Sequence, residues 1–313
     1  MTLYQTEPRI AAGDVSNTEP NLPGKLEAKP SQTDFLTKFM VEPGARVVLD
    51  DIDPGCCAGY ESCERAQTAM KSYAEKIGRL QYLMHAENKR SLLIVLQGMD
   101  AAGKDGVVRH IVTNMNPAGC RIVNFKQPTP VDLGHDFLWR VHPHVPSKGE
   151  VIIFNRSHYE DVLVVRVHQL APVHVWFKRY ELINSFEKLL VADNDTTVLK
   201  FLLHISKEEQ LARFKRRLED PARRWKISEA DYREREHWDS YVDAFEEMLH
   251  RTSTIHAPWF VIPSDQKWFR DLAIAQIISR TLEALDMRLP QPAVDITHIR
   301  RRYHAAEITA KAS

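Results

Sequence analysis

The chain has 313 residues, 43% hydrophobic and 27% charged, with 42 basic and 42 acidic side chains. That length suits one large α/β domain with extensions or two small ones, and zero formal net charge excludes an overall basic field for capturing a polyanion, so any such site is local. No apolar run approaches the roughly 18 residues of a membrane span, and the N-terminus lacks a basic-then-apolar leader; a cytoplasmic protein with neither membrane nor nucleic-acid partner is expected.

Residues 1–33 are rich in Pro, Gly, Asn, Thr and Glu without a sustained period and read as a mobile arm. The short apolar runs Phe39-Met40-Val41 and Val47-Val48-Leu49 predict an ordered extension over 34–63 that lies on a domain. The cysteines Cys56, Cys57 and Cys63 lack a second pair or a histidine at ligand spacing, and adjacent cysteines rarely share one zinc, so free thiols are expected there and at Cys120. Over 64–90, apolar residues at Ala66, Met70, Tyr73, Ile77, Leu80 and Met84 alternate steps of four and three, which predicts one long amphipathic helix.

Leu92 to Leu96 has the length and branching of a buried strand. It runs into Gly98-Met99-Asp100-Ala101-Ala102-Gly103-Lys104, a match to G-x-x-x-x-G-K, the phosphate loop. Glycines let such a loop curl until successive N–H groups point inward at the positive end of the following helix, and Lys104 adds a charge. The helical stripe Val107, Val108, Ile111, Val112, Met115 supplies that helix. Where most such loops carry Ser or Thr for magnesium this chain has Asp105, followed by Gly106, and a second acid, Asp100, lies inside the loop.

Cys120 to Lys126 reads as a second strand, ended by Gln127-Pro128-Thr129-Pro130, which forbids helix. Loops at carboxyl ends of strands line the ligand crevice in such folds, so Phe125 and Lys126 are candidates for nucleotide contact. Val131 to His144 is expected to be helical. Its histidines His142 and His144 do not share a face, so no metal pair is expected. Glu150 to Asn155 is a third strand, leading into Arg156-Ser157-His158-Tyr159-Glu160-Asp161 and a helix to His168. Magnesium duty usually falls on an acid at this strand end. Here Asn155 and Arg156 stand there, so Arg156 is assigned to bridging phosphoryl groups and Asp100 to magnesium, with Glu160 and Asp161 in reserve.

Helix over 175–193, strand over 197–205 and a capping box at Ser206 and Glu209 follow. Arg213 to Lys226, RFKRRLEDPARRWK, holds seven basic residues against two acidic ones and is broken at Pro221. Helix over 232–249, a fifth strand over 258–262, helix over 268–285 and a basic-leaning tail over 291–313 complete the chain.

Taken together, VEPGARVVL, SLLIVLQGMDAAGKDG, NPAGCRIVNFKQPTP, VIIFNRSHYEDVLVVRVH, RFKRRLEDPARRWKIS and TSTIHAPWFVIPSDQKWF resemble the type-2 polyphosphate kinase family from about Phe39 to Met287. The HYEDVLVVRVH version is similar to the branch that acts on nucleoside mono- and diphosphates. GCCAGYESC departs from the usual turn, and the first 33 residues have no counterpart.

The resemblance implies a three-layer α/β/α phosphate-loop kinase fold similar to thymidylate kinase, with a five-stranded parallel sheet and a helical lid at about 206–235 within a domain over 34–290. It implies magnesium-assisted, or manganese-assisted, transfer between inorganic polyphosphate and AMP, ADP or ATP, with guanine nucleotides as further acceptors, in a homodimer or homotetramer. Its roles fall on Asp100, Lys104 and Arg156 as the catalytic set, Arg213, Arg217, Arg223, Arg224 and Lys226 as lid cations, and Phe125, Lys126, Asn155, Tyr159 and Asp161 around the acceptor. The rival readings are an ATP-dependent nucleoside monophosphate kinase, which needs less positive charge than 213–226 supplies, and a nucleotide-binding regulatory module without turnover. A phosphohistidine route through His110 or His158 is disfavoured, since histidines at such places are common.

Overall fold

A computed structural model of the chain describes residues 34–60 and 63–312. The expected arm over 1–33 lies outside the described residues. In chain order the elements are α1 (Phe35–Lys38), β1 (Met40–Val41), α2 (Cys63–Glu87), β2 (Ser91–Gly98), α3 (Lys104–Val112), β3 (Cys120–Asn124) and α4 (Pro130–Leu133). Then come β4 (Val151–Asn155), α5 (Val164–Val167), α6 (Val173–Asn194), β5 (Thr196–His204), α7 (Lys207–Glu219), α8 (Glu229–Glu236), α9 (Trp238–Thr252), β6 (Trp259–Pro263), α10 (Lys267–Ala284) and α11 (Ile296–Ala312).

The strands form one sheet in the order β1-β6-β5-β2-β4-β3. All five expected strands are present and mutually parallel, with Leu92 to Leu96 paired to β4 on one side and β5 on the other. Burial on both faces explains why β2 is a continuous apolar run: Leu92 to Leu96 are all fully buried. The extension adds a sixth strand, β1, antiparallel to β6 through Met40 with Phe260 and Val41 with Trp259. One face of the sheet packs on α2, α3 and α10, and the other on α6 and α9.

Three expected helices come out differently. Val131 to His144 holds only the single turn α4, capped by Thr129 and Asp132 and ended at Gly134, and a short 3-10 turn at His142–His144. Tyr159 to His168 is a 3-10 turn, His158–Asp161, followed by α5, because Tyr159 and Asp161 are pulled into buried bonds described below. The helix expected over 232–249 is divided at His237 into α8 and α9. At α7, Ser206 Oγ accepts from Glu209 N as expected, but Asp265, not Glu209, accepts the Ser206 N–H. Within the expected tail, Ile296–Ala312 form the exposed helix α11. No described helix is long and apolar enough to cross a membrane.

Candidate functional site

The phosphate loop runs from the end of β2 into α3, and two of its glycines are demanded by geometry. Gly98 has φ 146°, and a Cβ there would approach Leu203 O to 2.7 Å. Gly103 has φ 105°, and a Cβ would collide with the Arg270 guanidinium. Only glycine adopts such angles without strain. Gly106, in the first turn of α3, also lies against Arg270.

The loop is fastened from behind through its carbonyls. Gln210 Nε2 donates to Asp100 O (2.9 Å), Arg213 Nη1 to Ala101 O (2.8 Å) and Ala102 O (2.7 Å), and Arg270 Nη1 to Ala102 O (3.2 Å). Arg213 also donates to Glu209 Oε1, Ser264 O and Asp265 O, so all five of its N–H groups are engaged and its side chain is buried. Arg213, expected as a lid cation, is therefore a brace that ties α7 and the end of β6 to the loop.

Lys104 Nζ donates to Gly98 O (2.7 Å) and Met99 O (3.2 Å). Burial, and then the nearby Arg156 guanidinium, lower its pKa to about 8. Arg156 stands just beyond β4 with φ 62°, a left-handed conformation rare for a non-glycine residue. Its Nη2 donates to Asp100 Oδ1 at 2.6 Å and its Nη1 lies 3.7 Å from Glu160 Oε2, so Asp100, Arg156 and Glu160 meet at one point. Burial raises the Glu160 pKa against the pull of Arg156 and Lys104. Asp105 accepts from Asn155 Nδ2 (3.0 Å) and from Lys226 Nζ (3.0 Å) across the cleft. Burial alone would raise its pKa, but these two hydrogen bonds hold it below the ordinary value.

The cleft between the loop, the ends of β3 and β4 and the 213–226 segment has a volume of about 1410 Å³. Among the described residues, eleven lysines and arginines line it against four aspartates. Arg217, Arg223, Lys226, Lys126 and Asn155 are all on this lining. Arg224 is not: its Nε donates to Leu218 O (2.9 Å) within the lid. Arg109, Arg216, Lys267 and Arg270, which are not among the expected site residues, also line it, brought together by α3, α7 and α10. Burial, then Arg213 and Arg216, push the Lys267 pKa down, a sign of how crowded with cations this wall is.

Two expected acceptor residues face elsewhere. Tyr159 is fully buried, its hydroxyl donating to Glu187 Oε1 (2.8 Å) and accepting from Lys200 Nζ (2.8 Å) beneath the sheet. Asp161 is buried against Arg179 (3.1 Å) and Arg140 (3.6 Å). Neither is on the cleft lining, and the two arginines hold Asp161 apart from Asp100 as a magnesium ligand. Phe125 lies at the cleft but is itself buried, edge-on to Phe154. His158 is buried against Glu187, away from the cleft lining. Among the described residues no three His, Cys, Asp or Glu side chains cluster to hold a metal. Magnesium commonly binds one or two carboxylates and completes its shell with water and substrate phosphate, a demand Asp100 with Glu160 beside it can meet.

The family model described as polyphosphate kinase 2 matches residues 60–290. An AMP/ADP-polyphosphate phosphotransferase from Meiothermus ruber is 46% identical over 258 residues, covering 82% of this chain and 96% of the relative. An ADP-polyphosphate phosphotransferase from Rhodopseudomonas palustris is 41% identical, over 81% of this chain and 92% of its own. The crystal structure of polyphosphate kinase 2 from Arthrobacter aurescens TC1 superposes with a TM-score of 0.80 at 37% identity, covering 85% of this chain and 98% of that one. On this agreement of model, relatives and fold, the chain belongs to the polyphosphate kinase 2 family.

Proposed function

We propose that this chain is a phosphotransferase that moves a phosphoryl group between inorganic polyphosphate and AMP or ADP, by direct in-line transfer. The cleft carries this reading: eleven cationic side chains converge on a phosphate loop, more charge than a single triphosphate requires. Polyphosphate lies along the loop N–H groups and Lys104 and continues over Arg217, Arg223, Lys226, Arg216 and Lys267. The nucleotide enters between Lys126 and the lid, with Asn155 alongside, and Arg156 bridges donor and acceptor oxygens with its planar fork.

The acceptor atom is a phosphate oxygen already ionised at neutral pH, so no general base is needed and catalysis is positioning plus charge neutralisation. A buried His or Cys dyad is not required for such a step. Magnesium, with manganese as a substitute, would be held by Asp100 with Glu160 beside it. When bound it supplies further neutralisation of the phosphoryl oxygens. The bond from Arg156 Nη2 to Asp100 Oδ1 (2.6 Å) supports assigning both side chains to one transfer point.

The test is product analysis with polyphosphate plus AMP, ADP, GMP or GDP, each alone and without ATP. Growth of the phosphate chain on the nucleotide is expected with both adenine nucleotides; no product from any acceptor overturns the assignment. Lys104→Ala and Asp100→Ala should each cost on the order of 10²–10³-fold or more in kcat while leaving the far-ultraviolet circular dichroism unchanged. Near-normal turnover in either variant removes that residue from the mechanism.

A further inference from the structure

Trp225 stands out in the cleft. It sits at the tip of the lid and is 77% exposed, yet it lines the cationic cleft described above. Polyphosphate presents charge and oxygen but no flat apolar surface, so an indole offered to that cleft has nothing to gain from the donor. A nucleotide carries such a surface in its base.

The ring is held, not loose. Its Nε1 donates to Ala222 O (3.1 Å), and Lys226 Nζ lies 5.0 Å from the ring centroid, while the same Nζ pairs with Asp105 on α3 (3.0 Å). The indole is thus oriented by its own lid and tethered, through the neighbouring lysine, to the helix that follows the phosphate loop. Among the described residues, the cleft lining holds one other Phe, Tyr or Trp ring, Phe125. Phe125 at the cleft is buried, and Trp139, the other exposed tryptophan, is already stacked on His135 at 4.1 Å with the planes 12° apart.

We infer that the open surface of the Trp225 indole is the stacking platform for the base of the nucleotide acceptor, an inference that rests on the phosphotransfer reading above. Stacking on an aromatic ring is tolerant of base identity, because every base has a π-face, and it grows with ring area. The lid then holds both substrates: its cations take the polyphosphate and its indole takes the base. Purine nucleotides of either kind are accepted, and pyrimidine nucleotides bind more weakly.

The experiment compares Trp225→Ala and Trp225→Phe with the wild type in steady-state kinetics and in calorimetric titration with ADP. Trp225→Ala raises KM and Kd for the nucleotide about tenfold or more and leaves KM for polyphosphate within about twofold; Trp225→Phe keeps most of the affinity. Equal losses for polyphosphate and nucleotide, or an alanine variant that binds ADP as the wild type does, overturn the proposal. If the alanine variant collapses the lid, Trp225→Phe decides, since a phenyl ring retains a stack but not the Nε1 bond to Ala222. Titration needs no turnover, so a chain that binds ADP through Trp225 yet makes no product would refute the reaction and keep the platform.

Discussion

Lys104 is the residue whose chemistry is most directly open to measurement. Burial and Arg156 lower its pKa to about 8, and a bound polyanion favours the charged form. Below that pH the lysine is already protonated and polyphosphate affinity should be flat. Above it, binding must take up a proton, so affinity should fall as pH rises through 8 toward the ordinary lysine value, and Lys104→Arg should move the fall to higher pH. Polyphosphate titrations between pH 6.5 and 9.5 check this; an affinity that rises over the alkaline part of the range contradicts it. Gly103 allows a second test at this scale. Gly103→Ala meets both a left-handed backbone and the Arg270 guanidinium, and should cost about 1–3 kcal/mol, read as a lowered Tm. Residues such as Lys104 and Gly103 were legible because the loop motif states them. The role of Arg213 was not, since a sequence counts cations without saying which have their donors already engaged.

Among elements, the strands were legible and the short turns were not. A strand buried on both faces advertises itself as an apolar run, as Ile152 to Phe154 and Phe201 to Leu203 do. The two-residue β1 is too short to carry a period, and its pairing is decided by β6, more than two hundred residues away. The turn after Arg156 escapes the sequence pattern for a similar reason: Glu187, from α6, draws Tyr159 inward. Beneath that turn, Lys200 on β5 is fully buried, bonded to Glu187 Oε2 (2.7 Å) and Thr252 O (2.7 Å). Removing one partner strands a buried charge, so Glu187→Leu alone should destabilise by about 3–5 kcal/mol, and adding Lys200→Met should recover much of the loss. Denaturant melts of the single and double variants measure it; additive losses would mean that the pair is not coupled.

At the scale of the whole molecule, equal numbers of acids and bases conceal a strongly polarised surface. Neutrality of the chain coexists with eleven cations against four acids around one cleft. Capture of a polyanion by such a cleft should weaken with salt as counterion release demands, and Arg223→Ala should lower the slope of log KM for polyphosphate against log salt by nearly one. Arg224→Ala, whose side chain is off the cleft lining and donates to Leu218 O, should leave that slope almost unchanged. Kinetics at 50 to 300 mM salt separate the two; equal slopes for the two variants would put Arg224 in the binding surface after all.

The bracing of the loop also decides where the lid can bend. Gln210 and Arg213 belong to α7 and hold the carbonyls of Asp100, Ala101 and Ala102, so α7 cannot swing without tearing the phosphate loop out of shape. A lid motion that spares these bonds has its pivot beyond Arg213, at the helix end marked by Asp220 and Pro221, and again at Ser228, where α8 begins. In such a motion helix α7 would be the doorpost and the span of residues 220–228 the door.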